Sequence, residues 1–313
     1  MQPDFRSLGN KFSNWGRWGK DDRIGTLNHI TTEALINASK LIKKGRIFDL
    51  SLPFGSNGPS TGAGGRVNPI HLMGLTPGDT QILNHVVTPP DMIIADDWIT
   101  MPLQCGTQWD GLAHLGYDGC FYNNVPAHTV STVSGSTVLS IEDIIAKGPT
   151  TRGVLLDIMA VRGGKPLASG DEITPADIEA AEKRQNIRAD AGDVLLLRTG
   201  WIQQFTIHKS ALAFWKGEPG IGLSCVEWLY QRKIAAIAAD NWGVEVVQPE
   251  GKVSLIVHCV LIRDMGMTLG EIFNLDALAA DCEADGVWEF FFTSPPLKIS
   301  NAVGSPITPL AIK

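Results

Sequence analysis

Apolar and polar positions divide the chain into a regular second half and an irregular first half. From Ser140 onward, short apolar runs alternate with helical patterns. Ser140-Ile141-Glu142-Asp143 opens a short helix, and Gly153 to Ile158 reads as a buried strand. Thr174-Pro175-Ala176-Asp177 supplies a cap residue, a proline at the first helical position and an acid at the third, and predicts a helix to about Gln185. Asp193 to Leu197 is a second apolar strand, ending in the turn Arg198-Thr199-Gly200-Trp201. Leu223 to Arg232 reads as a helix, and Ile234 to Ala239 as a strand that stops at Asp240-Asn241-Trp242. The apolar run Val253 to His258 follows, then a helix from Glu271 to Ala280 and a last strand around Phe290-Phe291-Phe292.

The first half has less period. Trp15-Gly16-Arg17-Trp18-Gly19 fits neither the strand nor the helix repeat, so residues 1–30 read as a loop-rich arm whose tryptophans cover either their own domain or a neighbouring subunit. Thr31-Thr32-Glu33 starts a helix to about Lys44, with Leu35, Ile36, Ala38, Leu41 and Ile42 as its apolar stripe and Gly45 as its stop. Ile47 to Leu52 is a short strand ended by Pro53. Glycine, proline and serine dominate from Gly55 to Asp79, which reads as a lid or interface loop. Trp98 to Leu103 is a strand leading into Gln104-Cys105-Gly106-Thr107-Gln108-Trp109-Asp110-Gly111-Leu112-Ala113-His114. Without repeats, low-complexity tracts or a linker, the pattern predicts one domain over 1–313, of α/β or mixed α+β class.

Composition narrows the function classes. A net charge of −7 without a Lys/Arg cluster argues against a nucleic-acid partner. Five cysteines with no CxxC point to reduced thiols and a cytoplasmic setting. No apolar run reaches the length of a membrane span, and the N-terminus lacks a signal peptide's basic start and apolar core. No Gly-x-Ser-x-Gly elbow and no phosphate-binding glycine loop is present.

The central stretch carries the candidate chemistry. Asp110 and His114 are four apart, so on one helical turn or a tight coil they face the same point, where they would ligate a metal or share a proton. The alternative is a hydrogen-bonded structural pair. Trp109 would offer a flat wall to a cyclic substrate, and Gln104 and Gln108 could each donate to and accept from a substrate amide or carbonyl. Asp240, at a strand end, would orient a ligand or a metal-bound water or else cap a turn, and Glu245 reads as a cap or turn residue. His71 and His128 are loop histidines near the motif, and Tyr117, Asp118, Tyr122, Asn123 and Asn124 form a polar cluster that either orients a ligand or builds a turn.

The stretch resembles the signature His-x-Gly-Thr-His-x-Asp-x-Pro-x-His of the cyclase family of metal-dependent hydrolases, which includes kynurenine formamidase and isatin hydrolase. Gly106, Thr107, Asp110 and His114 match, while Gln104, Gln108 and Leu112 stand at two histidines and the proline. Asp49-Leu50-Ser51 and the segment Gly192 to Trp201 resemble further family segments. The resemblance implies a mixed β-sheet or barrel-like core flanked by helices. It also implies metal ligands at Asp110, His114, His258 and Glu271, with His114 and Asp110 as the catalytic pair. With both signature imidazoles lost, it implies one divalent ion, manganese or zinc, rather than two. The implied reaction is hydrolysis of a small amide, imide, lactam or lactone by metal-activated water, in a homo-oligomer (dimer or tetramer). Two alternatives stay open: a metal-free lyase or dehydratase, and a non-catalytic small-molecule binding protein.

Overall fold

The computed structural model describes residues 4–79, 92–250 and 253–313. Its centre is a mixed, curled sheet of nine strands. Four strands run parallel in the middle: Thr150–Asp157, Val194–Arg198, Ala236–Ala239 and Thr268–Glu271. Antiparallel strands extend both sides. Glu289–Thr293, Leu310–Ile312 and Ile47–Asp49 follow in that order beyond Thr150–Asp157. Gln108–Asp110 and then Gly304–Pro306 follow beyond Thr268–Glu271.

The period-two rule explains why the inner strands are apolar throughout. Val154, Leu156, Leu195, Leu197 and Ile237 face one layer, where Ile178 and Ala181 of the helix Pro175–Gln185 and Val226 and Leu229 of the helix Cys225–Arg232 cover them. Leu155, Val194, Leu196, Ala236 and Ala238 face the other, with Phe290, Phe292 and Leu278 and Cys282 of the helix Asp276–Asp285. The helix Pro175–Gln185 starts as its sequence dictates, with Thr174 and Asp177 forming a reciprocal capping box.

Several boundaries differ from the sequence reading, each for a local reason. The helix after Thr31 spans only Thr32–Ser39 and buries Ala38 alone, leaving Leu35 and Ile36 exposed. The strand at Ile47 ends at Asp49, because the Asp49 carboxylate takes the N–H and hydroxyl of Ser51 and turns the chain. The segment beyond Gly55 is not all loop: Ile70–Leu75 pairs with Asp96–Thr100 in an exposed two-stranded ribbon outside the main sheet. Trp98 belongs to that ribbon, so the predicted strand Trp98 to Leu103 does not run into the central sheet. Glu271 ends a strand rather than starting a helix, which begins at Asp276. Two strands follow the predicted last one.

The N-terminal arm, of which residues 1–3 lie outside the described part, holds a helix, Phe5–Lys11, and a 3-10 turn, Gly25–His29. It covers its own domain. Asn14 donates to the Met265 carbonyl at 2.8 Å and Trp15 Nε1 to the Arg263 carbonyl at 2.7 Å. No helix among the described residues is long and apolar enough to cross a membrane.

Strand alternation also decides where the central motif points. Gln108 and Asp110 face one side of the sheet and Trp109 the other. Trp109 is fully buried against Phe273 and Phe292, and its Nε1 donates to the Ser294 carbonyl at 2.8 Å. Gly270 lies opposite it in register, and an added Cβ there would come within 2.6 Å of Trp109 Cζ3. Trp109→Phe is therefore expected to lower stability by about 2 kcal/mol through lost packing and an unpaired carbonyl. Equilibrium urea unfolding measures this, and an unchanged midpoint would remove Trp109 from the core.

Candidate metal centre

The site is built at the carboxyl end of the parallel strand Thr268–Glu271, where open α/β sheets place ligands. Glu271 is the strand's last residue. Gln108 is its register partner, and Asp110 pairs with Leu269, so all three polar side chains share one face. His258 reaches them from the short helix Ile256–His258, which continues into a π-helical turn, Cys259–Asp264. The π form is a frequent mark of functional positions in helices.

Asp110, His258 and Glu271 present ligand atoms that all lie within 4.8 Å of one another, and all three residues are buried. His258 Nε2 is 3.3 Å from Glu271 Oε1. Its Nδ1 makes a short contact with Glu245 Oε1. Gln108 Nε2 donates to Glu271 Oε2 at 2.6 Å and lies 3.4 Å from Asp110 Oδ1. Both neighbours of that nitrogen are carboxylates, which fixes the amide orientation. Asp110 Oδ2 and Gln108 Oε1 are buried without a hydrogen-bond partner. A buried carboxylate oxygen without a partner, and an imidazole whose other nitrogen meets a carboxylate, are features that metal-ligating sets share. The donor set fits a metal.

Electrostatics agree with that fit. Burial first, and Glu271 second, push the Asp110 carboxyl up to about 6, against the opposing pull of His114 and His258. Burial alone would lower His258, but the hydrogen bonds to Glu245 and Glu271 hold its proton well above the ordinary imidazole range. His114 is lowered by burial, partly offset by Asp110.

The other expected residues separate clearly. Asp110 and His114 are not on a helix: the chain leaves the strand Gln108–Asp110 through a turn closed by the His114 N–H on the Gly111 carbonyl. His114 Nε2 is 3.7 Å from Asp110 Oδ2 and partly exposed, so it borders the buried cluster without joining it. Gln104 places Nε2 over Gly304, the residue across from Asp110, and so lies on the same face. Trp109 is corrected: its ring faces the opposite layer and forms no substrate wall. Asp240 is also corrected. It is fully buried, and its oxygens take the Thr199 N–H and hydroxyl and the Gly200 N–H, which occupies it in holding that turn. His71 pairs with Asp97 on the exposed ribbon, and His128 is exposed on a 3-10 turn. Tyr117 and Tyr122 donate to Asp264 and Asp22, and Asn123 donates to the Gly19 carbonyl, so the polar cluster fastens the arm.

Two carboxylates were not legible as parts of a site. Glu245 is the partner of His258. Glu218 is fully buried, accepts from the Trp242 N–H at 2.6 Å through Oε2 and leaves Oε1 unpaired; burial pushes its carboxyl well above the ordinary range. Both sit between glycines, prolines and valines that read as turn, and only the fold brings them to His258. Val244 and Ile272, each preceding or following one of the carboxylates on His258, have φ of +61° and +59°. For β-branched residues this is a strained conformation of the kind that collects at functional sites.

The cyclase family model, described as "Putative cyclase", matches residues 48–246. No curated protein matches. A crystal structure of a novel cyclase is 38% identical with a TM-score of 0.88, covering 97% of this chain and 99% of that one. Isatin hydrolase A from Ralstonia solanacearum is 19% identical, TM-score 0.61, over 90% of this chain and 97% of its own. A predicted metal-dependent hydrolase from Bacillus stearothermophilus is 16% identical, TM-score 0.52, over 86% and 98%. The last two show a shared fold. The family match over most of the chain and the 38% relative establish more: the chain belongs to the cyclase family.

Proposed function

We propose that this protein is a metal-dependent hydrolase of small amides, imides, lactams or lactones, with one divalent ion per chain. The observation that carries the proposal is the buried convergence of Asp110, His258 and Glu271, with His258 backed by Glu245. These three side chains would hold the ion. A divalent cation supplies a lowered pKa for water and polarisation of a carbonyl. Two carboxylates and an imidazole suit manganese or zinc. Isatin hydrolase A and the predicted metal-dependent hydrolase, which share the fold, support this reading at the level of reaction class.

The chain's own residues then divide the work. Gln108 donates its amide hydrogens to Glu271 and Asp110, so it holds the two carboxylates apart as a neutral group. Glutamine in place of an imidazole makes a poorer zinc ligand, which favours one ion over two. Gln104 lines the same face as a polar neighbour. His114, at the rim, is placed to move a proton at Nε2 to a leaving group. Burial of the whole cluster excludes water and strengthens each of these interactions.

Metal content by elemental analysis tests the proposal directly. Protein purified without added metal or chelator should carry about one divalent ion per chain, and His258→Ala should lose it. No ion in either protein, even after soaking with manganese or zinc, would overturn the assignment, and turnover that survives chelation would favour a metal-free lyase. Gln108→His should raise the content toward about two, if the amide's place is shaped for an ion. His114→Gln should keep the ion while kcat falls about 100-fold on a competent amide or lactone. Loss of the ion in that variant would make His114 a ligand instead.

A further inference from the structure

Three elements converge on one side chain, and their arrangement has a purpose that the ligand set alone does not express. Glu245 accepts from the backbone N–H of Val257 at 2.9 Å and of His258 at 3.1 Å, and it meets the His258 ring at Nδ1. One carboxylate therefore caps the helix that carries His258 and fixes the ring on it. Glu271 meets the opposite nitrogen, Nε2. The backbones beside both carboxylates are fixed by a single residue, Asn241. Its side-chain carbonyl accepts from the Val244 N–H at 2.9 Å, and its backbone carbonyl accepts from the Ile272 N–H at 2.7 Å. Its amide nitrogen donates to the Pro219 carbonyl at 2.6 Å, so the hub is itself anchored. Val244 and Ile272 are the two β-branched residues with positive φ described above. Their strain persists only because Asn241 and the buried surroundings determine both positions.

We infer that Glu245 is a positioning residue that holds the proton of His258 on Nδ1 and aims Nε2 at Asp110 and Glu271, with Asn241 fixing the backbone on both sides of the ring. The inference rests on the metal-centre reading for its consequence, which is affinity for the ion. A carboxylate on the far nitrogen of a ligating histidine sets its tautomer and raises its basicity as a donor. A neutral amide at position 245 would keep an acceptor but remove the charge, and an aliphatic side chain would remove both.

Calorimetric titration with zinc and manganese chlorides tests this on wild type, Glu245→Gln, Glu245→Leu and Phe290→Leu. Phe290 is buried in the opposite layer, on a strand separated from Thr268–Glu271 by three others, so Phe290→Leu controls for simple loss of stability. Affinity should fall about 10-fold in Glu245→Gln, about 100-fold in Glu245→Leu and by less than about twofold in Phe290→Leu. Nitrogen-15 NMR of the histidine rings in the metal-free proteins gives the second readout. Nδ1 of His258 should carry a proton in wild type and lose it in Glu245→Leu. Wild-type affinity in folded Glu245→Leu, or an equal loss in Phe290→Leu, would overturn the inference. Should Glu245→Leu fail to fold, the isosteric Glu245→Gln decides by the same titration. If wild type binds neither ion, the metal-centre reading fails by itself, and the proton's position on the ring still decides the role of Glu245: an unprotonated Nδ1 refutes it.

Discussion

The buried imidazole of His258, held by Glu245 at one nitrogen and facing Glu271 at the other, is the contact on which the rest of the site depends. An imidazole can serve two partners at once only if its ring plane and tautomer are fixed. Here the fixing comes from elements far apart in sequence. The turn after Ala236–Ala239 supplies Asn241 and Glu245, the end of Thr268–Glu271 supplies the second carboxylate, and a short helix supplies the ring. The N-terminal arm adds a constraint from outside. It bonds through Asn14 and Trp15 to the carbonyls of Arg263 and Met265, where the π-helical turn that follows His258 ends. Packing at the periphery thus limits how the ligand-bearing helix can shift.

The sheet explains why the central motif has two faces. Gln108, Trp109 and Asp110 form three consecutive strand positions, and alternation sends the middle one into the hydrophobic layer. The tryptophan therefore anchors the strand through Phe273, Phe292 and Ser294, while the residues on either side of it are presented together across the register to Glu271. A one-residue slip of this strand would bury Gln108 and Asp110 among aromatic rings and expose Trp109 to the polar cluster. Such a slip would cost both the packing and the site, so the aromatic core and the chemistry enforce the same register.

Much of this was legible in the sequence where the signal is local. The capping box at Thr174 and Asp177 specifies its helix, and the runs at Val154 and Val194 are too continuously apolar to be anything but inner strands. The cyclase signature identified Asp110 and His114, and the His258 and Glu271 pair followed from resemblance rather than from spacing. Reading the motif as a coil instead of a strand misplaced Trp109, because a period of two cannot be recognised over three residues. Asp240 looked like a crevice residue, but two backbone N–H groups and a hydroxyl at Thr199 and Gly200 claim its oxygens, and no sequence pattern records that. Glu218 and Glu245 were hidden for the same reason: their partners are twelve or more residues away and appear only when the turns fold.

Charge balance gives the cluster its direction. Asp110, Glu218, Glu245 and Glu271 are all buried, and among the described residues the basic side chains within ion-pair distance of them are the imidazoles of His114 and His258. Arg66, from the segment ahead of the exposed ribbon, acts on Asp110 without forming an ion pair. Taking several carboxylates out of water is costly unless protons or cations accompany them. Burial and the neighbouring carboxylates favour protons on this cluster, pushing Asp110 up to about 6 and Glu218 above its ordinary range. No arginine or lysine among the described residues forms an ion pair with Asp110; its Oδ2 is buried without a hydrogen-bond partner, and His114 Nε2 stands 3.7 Å away. A compensating positive charge among these carboxylates lowers the cost of burying them, and that electrostatic demand, more than the presence of any one ligand, is what supports the proposed ion.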